Sequence, residues 1–268
     1  MEKRQASLFD RTRPKVIGVV HLKPLPGSPS YAGDPDRIYD AAAADAEALC
    51  QGGADGMIVE NFGDAPFFPS RVEPHTVALM TAVMTKLSGS VDIPMGVNVL
   101  RNDGMAAIGI ALATGAEFVR INVFIGATVT DQGIIEGKAH ELLRYRQALG
   151  SKSLILADVH VKHGHPLAGG SIEDAAKDAW HRGRADGIIV TGPATGACTD
   201  LRDLQAVREA VPDAFLLAGS GVTADTAPAV LRLADAVIVG TSLKINGEVR
   251  APIDPGRVTR LVNLVRAL

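Results

Sequence analysis

The sequence predicts a single (β/α)8 TIM barrel, and three observations carry that expectation. Eight short runs rich in Val, Ile and Leu alternate with eight helix-length stretches, the pattern of parallel strands joined by crossover helices. Several of those stretches close alike before a strand: Gly52-Gly53-Ala54-Asp55-Gly56, Gly115-Ala116-Glu117, Gly183-Arg184-Ala185-Asp186-Gly187 and Ala234-Asp235-Ala236. No low-complexity linker divides the chain, so one barrel domain is expected over 14–268, behind a polar N-terminal extension at 1–13. A doubly wound open sheet is the alternative, disfavoured because no Gly-rich turn follows the first strand.

The elements are justified in chain order. The first strand is read at 16–21, followed by an Ala-rich helix at 36–51, whose end is marked by glycines able to take the left-handed conformation. A strand at 56–61 and a helix at 74–87 follow, then a strand at 93–99 and a helix at 104–113 that stops at Gly115. The fourth unit is read as a strand at 118–123 and a helix at 134–149, and the fifth opens with a strand at 154–161. Its helix, 172–181, starts behind Ser171, with Asp174 three residues on as a capping signal. Strands at 187–191, 215–220 and 236–241 alternate with helices at 201–210 and 224–233. The last helix, 255–267, has Asp254 before Pro255, a residue suited to a first helical position.

Composition bounds the function. Hydrophobic residues make up 47% of the 268 and charged ones 21%, enough apolar mass for a large core. A formal charge of −3 and the lack of a basic run interleaved with aromatics argue against nucleic-acid binding. Residues 1–13 are polar, without an apolar leader segment, and no later run approaches a membrane span, so a reduced, cytoplasmic protein without membrane insertion is expected. Of the two cysteines, Cys50 reads as a small helix residue turned to the core, and Cys198 as a loop thiol without a nearby base.

Alternation along the strands selects the candidate site. In 154–163, Ile155, Ala157, Val159 and Val161 form one apolar face, while Leu154, Leu156, Asp158, His160 and Lys162 run from apolar to ionisable. A barrel strand with its back on helices and its front rising into a polar mouth has this pattern. In 118–123, Val119, Ile121 and Val123 face the helices, so Arg120 points inward, where it needs a carboxylate or an anionic substrate. The other strand ends contribute His21 and Lys23, Glu60 and Asn61, Asn98, Asn122, and Thr191 with Thr195. Reactive groups of such barrels gather at this end. The catalytic candidates are therefore Asp158, His160, Glu60, Arg120, Lys162, Asn98 and His21. The bland reading of any one of them is a satisfied polar plug.

The last two strands end in small residues, Gly219-Ser220-Gly221 and Gly240-Thr241-Ser242, whose exposed N–H groups suit a phosphate. Tight turns alone would explain the same glycines. Lys23, Asn122 and Thr191 complete the candidate substrate contacts. His21, Glu60, Asp158 and His160 form a variant divalent-metal set, with no ligand spacing to support it, and no cofactor is required by the sequence. His163 and His165 extend the fifth strand into a loop; His75 and His140 read as surface histidines, and Trp180 as helix packing. The Pro-rich 22–29 is expected to cover the mouth. The aromatic 61–68 is expected to wall it or to form a subunit contact in a homo-oligomer.

Several of these segments resemble the BtpA/SgcQ family: Val19 to Pro29, Gly56 to Asp64, Gly96 to Asp103, Phe118 to Val123 and Ala157 to His163, in order along nearly the whole chain. The resemblance implies a barrel like those of the ribulose-phosphate-binding superfamily. It also implies relatives named for photosystem I biogenesis or found among sugar-uptake and sugar-metabolism genes. The family motifs fall on His21, Glu60, Asn98, Arg120, Asp158, His160 and Lys162.

The reading favoured here is an enzyme acting on a small phosphorylated sugar-like metabolite, an isomerase, epimerase or aldol-type lyase. Asp158 or Glu60 would be the base, His160 the acid, and Arg120 or Lys162 the cation beside a developing enolate. Lys162 as an imine former ranks lower, because neighbouring carboxylates oppose the neutral amine. The alternatives are a non-enzymatic assembly or regulatory factor, and a metabolite-binding module.

Overall fold

A computed structural model describes residues 8–192 and 199–268. In chain order the elements are β1 (Lys15–His21), α1 (Asp36–Gln51), β2 (Gly56–Glu60), α2 (Pro74–Ser88), β3 (Met95–Asn98), α3 (Gly104–Thr114) and β4 (Phe118–Ile121). They continue with β5 (Ala127–Thr130), β6 (Gly133–Glu136), α4 (Ala139–Ala148), β7 (Leu154–Val159), β8 (Gly164–Pro166), α5 (Ile172–Lys177) and β9 (Gly187–Thr191). The chain ends with α6 (Leu201–Ala210), β10 (Leu216–Gly219), α7 (Ala227–Val230), β11 (Ala236–Val239) and α8 (Pro255–Arg266). Eight strands close into a parallel barrel ordered β1-β11-β10-β9-β7-β4-β3-β2, the predicted architecture.

The expected helix at 134–149 is shorter at its front. Its first residues form β6, which pairs antiparallel with β5, and β5 pairs with β8. Ile134-Ile135 is an apolar pair that a strand accommodates as readily as a helix, and Gly133 at φ 95° supplies the turn before it. Both insertions leave the C-terminal ends of barrel strands, so this small sheet borders the mouth.

Alternation in the strands sorts the core into two layers. Val16, Val20, Met57, Val59, Val97, Val119, Ile121, Ile155, Ala157 and Val159 pack against the helices. Ile17, Val19, Ile58, Phe118, Leu156, Ile189, Leu217 and Ile238 fill the barrel. Space inside is tight: a Cβ on Gly96 would lie 2.2 Å from the Phe118 ring, so β3 has glycine where the facing strand brings an aromatic.

The stretch expected to be a polar extension contributes two apolar residues to this interior. Leu8 is fully buried in the barrel cluster. The Phe9 ring meets Phe118 and Phe215 edge-on at centroid distances of 5.5 and 5.3 Å. They plug the N-terminal end of the barrel, so the open end is the C-terminal one. Leu8→Ala should cost about 2–5 kcal/mol, read as a lower urea midpoint at unchanged m-value; an unmoved midpoint would contradict the plug.

The recurrent Ala-Asp before a strand has a specific job. Asp55 donates its N–H to Val16 O at 2.9 Å and accepts Val16 N on its carboxylate at 2.8 Å. Asp186 does the same with Ile155, and Asp235 with Leu216. Arg13, Arg146 and Arg208 pair with these three carboxylates in turn. The left-handed residue before the third of the predicted strand entries is Arg184, at φ 56°, with Gly183 still helical at φ −71°. Ser171 and Asp254 cap α5 and α8 as expected, each accepting backbone N–H groups of the first turn. No helix among the described residues is long and apolar enough to cross a membrane.

Candidate active site

Arg120 lies at the centre of the mouth. It leaves β4 on the inward face, as alternation requires, and its Nε and one Nη donate to Asp158 Oδ1 and Oδ2, both at 3.0 Å. The other Nη reaches Glu60 Oε1 at 3.2 Å. All three side chains are buried. Burial alone would weaken the guanidinium's charge, but Asp158 and Glu60 outweigh it and hold its pKa above the ordinary arginine value. Asn122 Nδ2 also donates to Asp158 Oδ2, at 2.9 Å, and its Oδ1 accepts from Asn98 Nδ2 at 3.0 Å. Asp158 therefore has both oxygens committed, which fits it to hold Arg120 rather than to take a substrate proton.

Glu60 keeps its second oxygen toward the cavity side, with His21 Nε2 3.9 Å from Oε2. His21 stacks on Phe62 with centroids 4.3 Å apart. Burial, reinforced by the Lys244 and Lys162 charges, pushes its pKa down to about 3, so the ring is neutral at neutral pH. Lys162 is also shifted down, by burial first and by the Arg120 charge next, with Glu60 and Asp158 opposing. The carboxylates oppose the shift as expected, yet burial and the Arg120 charge together outweigh them.

His160 does not join the cluster. The β7 ladder ends at Val159, and His160 takes φ 49°, which breaks the alternation that would have pointed it inward. Burial pushes its pKa down, and the charges it feels are Asp203 on α6 and Glu173 on α5. The backbone turn is braced by Thr191, whose Oγ1 accepts the Lys162 amide at 3.1 Å. Thr191 is thus a support for the loop that delivers Lys162. Thr195 and Cys198 lie outside the described residues.

The four candidate metal ligands are not gathered. Asp158 is occupied by Arg120 and Asn122, and His160 is turned away. Among the described residues no group of three His, Cys, Asp or Glu side chains has the arrangement to hold an ion. A cationic guanidinium in the middle of the set opposes a divalent ion there.

Two cavities open from this floor and share His21, Glu60 and Lys162. The smaller, about 330 Å³, is lined by Ser220 to Thr223, Gly240 to Ser242 and Arg257. Ser220 and Gly221 are consecutive positive-φ residues, at φ 71° and 64°, in a turn of the kind that can present backbone N–H groups to an anion. Among the described residues the N–H groups of Gly221, Val222, Thr241 and Ser242 have no backbone acceptor. Arg257, in the first turn of α8, donates to Ser242 O at 3.3 Å beside them. Gly219 sits below, its carbonyl accepting from Thr199 at 2.9 Å, and Ser242 Oγ donates to Val222 O at 2.6 Å.

The larger cavity, about 920 Å³, lies toward the loops after β1, β2 and β3 and includes Lys23, Phe62, Phe67, Asn98, Arg101, His163, Lys244 and Arg250. Its Pro-rich wall is fixed: Leu25 is fully buried, its N–H donates to Asp64 Oδ1 at 2.8 Å, and Gly63 N donates to Leu22 O at 3.1 Å. Sequence reasoning missed Arg101, Lys244, Asp45 and Arg257. Lys244 is buried and bonded to Asp45 Oδ2 at 3.2 Å and Ala251 O at 3.0 Å. Asp45 follows Ile38 and Ala42 and precedes Leu49 on the buried stripe of α1, so helical periodicity contained that signal.

The sequence model of the BtpA family matches residues 12–267. The chain is 46% identical over 252 residues to the Photosystem I biogenesis protein BtpA of Synechocystis sp., covering 94% of this chain and 88% of that one. It is 46% identical over 260 residues to an uncharacterized protein of Thermococcus kodakarensis, covering 97% and 98%. Among solved structures it is similar to thiamine phosphate pyrophosphorylase from Pyrococcus furiosus, with TM-score 0.61, 15% identity and coverage of 96% and 98%. It is also similar to N-(5'-phosphoribosyl)anthranilate isomerase from the same organism, with TM-score 0.59, 12% identity and coverage of 95% and 100%. At these identities the structural likeness is one of fold.

Proposed function

The chain belongs to the BtpA family, and from that premise we propose that it is an enzyme of a small phosphorylated sugar-like metabolite, moving a proton next to a carbonyl as an isomerase, epimerase or aldol-type lyase does. The observation that carries this reading is the shared floor: His21, Glu60 and Lys162 border both the N–H-lined cavity and the larger one. A phosphate on Gly221, Val222, Thr241 and Ser242, with Arg257 beside it, would direct the rest of the molecule over that floor. Glu60, with one oxygen on Arg120 and the other near His21, is the base. Neutral His21 relays the proton, and the Lys162 ammonium faces the developing enolate oxygen. Arg120, Asp158, Asn122 and Asn98 hold this geometry from beneath, and His160 has no part in the step.

Two measurements test the proposal. Phosphorylated aldoses and ketoses should raise the melting temperature, by an amount equivalent to about 2.7 kcal/mol at a hundred times the dissociation constant, while their unphosphorylated counterparts should not. In D2O the stabilising compounds should lose the proton next to the carbonyl at an enzyme-dependent rate, seen by NMR. No stabilisation by any phosphorylated compound would sink the reading.

The name of the Synechocystis relative supports a second reading, a barrel serving assembly through its outer surface. That reading requires Lys162→Met to leave cellular function intact.

A further inference from the structure

Unlike Arg120, Arg101 has no counter-ion among the described residues. It is 3% exposed and borders the larger cavity. One Nη donates to the Lys162 carbonyl, and its Nε is buried without a partner. Among the described residues no carboxylate lies within ion-pair distance of it. Asp131, at the rim of the same cavity, is exposed and bonded to Gln132. Burial therefore pulls the Arg101 pKa down, with only distant carboxylates working against it.

The position is built rather than incidental. Arg101 N donates to Phe68 O at 3.0 Å, and Leu100 on one side exchanges two hydrogen bonds with the Asn61 side chain. On the other side Asn102 bonds to both N–H and C=O of Val123. A guanidinium placed so firmly, desolvated and unpaired, is costly unless an anion completes it. A second orphan lies on the same wall: Asn98 Oδ1 is buried without a partner, because its amide nitrogen is held by Arg120 O and Asn122. That oxygen asks for a donor. Lys162, half-buried and bordering both cavities, adds another cation.

We propose that the larger cavity contains a second anion subsite, formed by Arg101 with Lys162, and that the ligand is doubly anionic: a phosphate at one end and a carboxylate or second phosphate at the other, with a hydroxyl near Asn98. This deepens the proposed function by naming the substrate class, and it rests on that reading for the phosphate end only.

Matched probes test it by titration calorimetry. 6-Phosphogluconate and sorbitol 6-phosphate differ at the far end, carboxylate against hydroxymethyl, and sorbitol 1,6-bisphosphate places a phosphate there. At least one doubly anionic probe should bind about ten-fold or more tighter than sorbitol 6-phosphate. Which of the two wins distinguishes carboxylate from phosphate. In Arg101→Met that preference should vanish while sorbitol 6-phosphate affinity is unchanged, and Arg101→Lys should restore part of it. Both variants are to be checked by circular dichroism and melting. Equal affinities in the wild type, or a preference that survives Arg101→Met, overturn the subsite. If sorbitol 6-phosphate and inorganic phosphate fail to bind while gluconate binds in an Arg101-dependent way, the subsite stands and the phosphate end falls. If no probe binds, both fall.

Discussion

Arg120→Met should destabilise the protein by about 3–5 kcal/mol, the usual cost of removing one member of a buried ionic cluster. The loss comes from what is left behind. Asp158 would keep only Asn122 at 2.9 Å, and Glu60 only the neutral His21 at 3.9 Å. For a chain of this size that corresponds to a melting temperature lower by roughly 6–20 °C. The triple variant Arg120→Met, Glu60→Gln, Asp158→Asn should recover a substantial part, since the stranded charges are gone although the hydrogen-bond geometry is poorer. A single variant melting with the wild type, or a triple variant no better than the single one, would show that Arg120 is not holding the two acids.

Lys162→Met should reduce proton exchange about 10²–10⁴-fold, the range for one acid–base or charge-stabilising group. Phosphate binding through Gly221, Val222, Thr241 and Ser242 should persist, because those N–H groups do not depend on Lys162. The contrast with His160→Ala is the sharper check. Parity along the strand makes the two residues equivalent, yet His160 borders neither cavity and feels the charges of Asp203 and Glu173 instead, so its removal should leave the rate within about three-fold. In the wild type the rate should fall on the alkaline side at a pH below the ordinary lysine value of 10.5, since burial lowers the Lys162 pKa and the ammonium is the working form. The same lowered pKa makes the amine available at milder pH to attack a substrate carbonyl. Borohydride added with a phosphorylated keto compound would then trap a secondary amine on Lys162, detectable by mass. An adduct would make the imine, rather than the free ammonium, the electron sink. Exchange unaffected by Lys162→Met would rule out both roles.

The fold was legible because the barrel repeats its punctuation: aliphatic runs of strand length, glycine after a helix, and Asp at the strand entry. Arg120, Glu60 and Asn98 were legible for a related reason, since all lie within regular strands where a period of two fixes the face. His160 was not, because one left-handed residue beyond the last ladder pair cancels the period, and nothing in a lone histidine announces that φ. Arg101 escaped notice because it comes after β3 ends, in a loop whose course is set by Asn61 and Phe68, some 30 to 40 residues away. The Leu8-Phe9 plug was hidden by the charged residues around it: two apolar side chains are too few to make a pattern, yet enough to fill a hole already lined by Phe118 and Phe215.

Asp55, Asp186 and Asp235 carry a consequence for assembly of the barrel. In a parallel sheet a slip of one residue would exchange every inward and outward side chain, sending Arg120 or Glu60 into the helical shell. Each aspartate grips both the N–H and the C=O of a single residue on the adjacent strand, and holds an arginine as well. A misregistered strand forfeits all of these together. Three such indexing points, spaced around the closed end, let errors be rejected there, far from the chemistry, and leave the residues of the open end free to be chosen for what they bind.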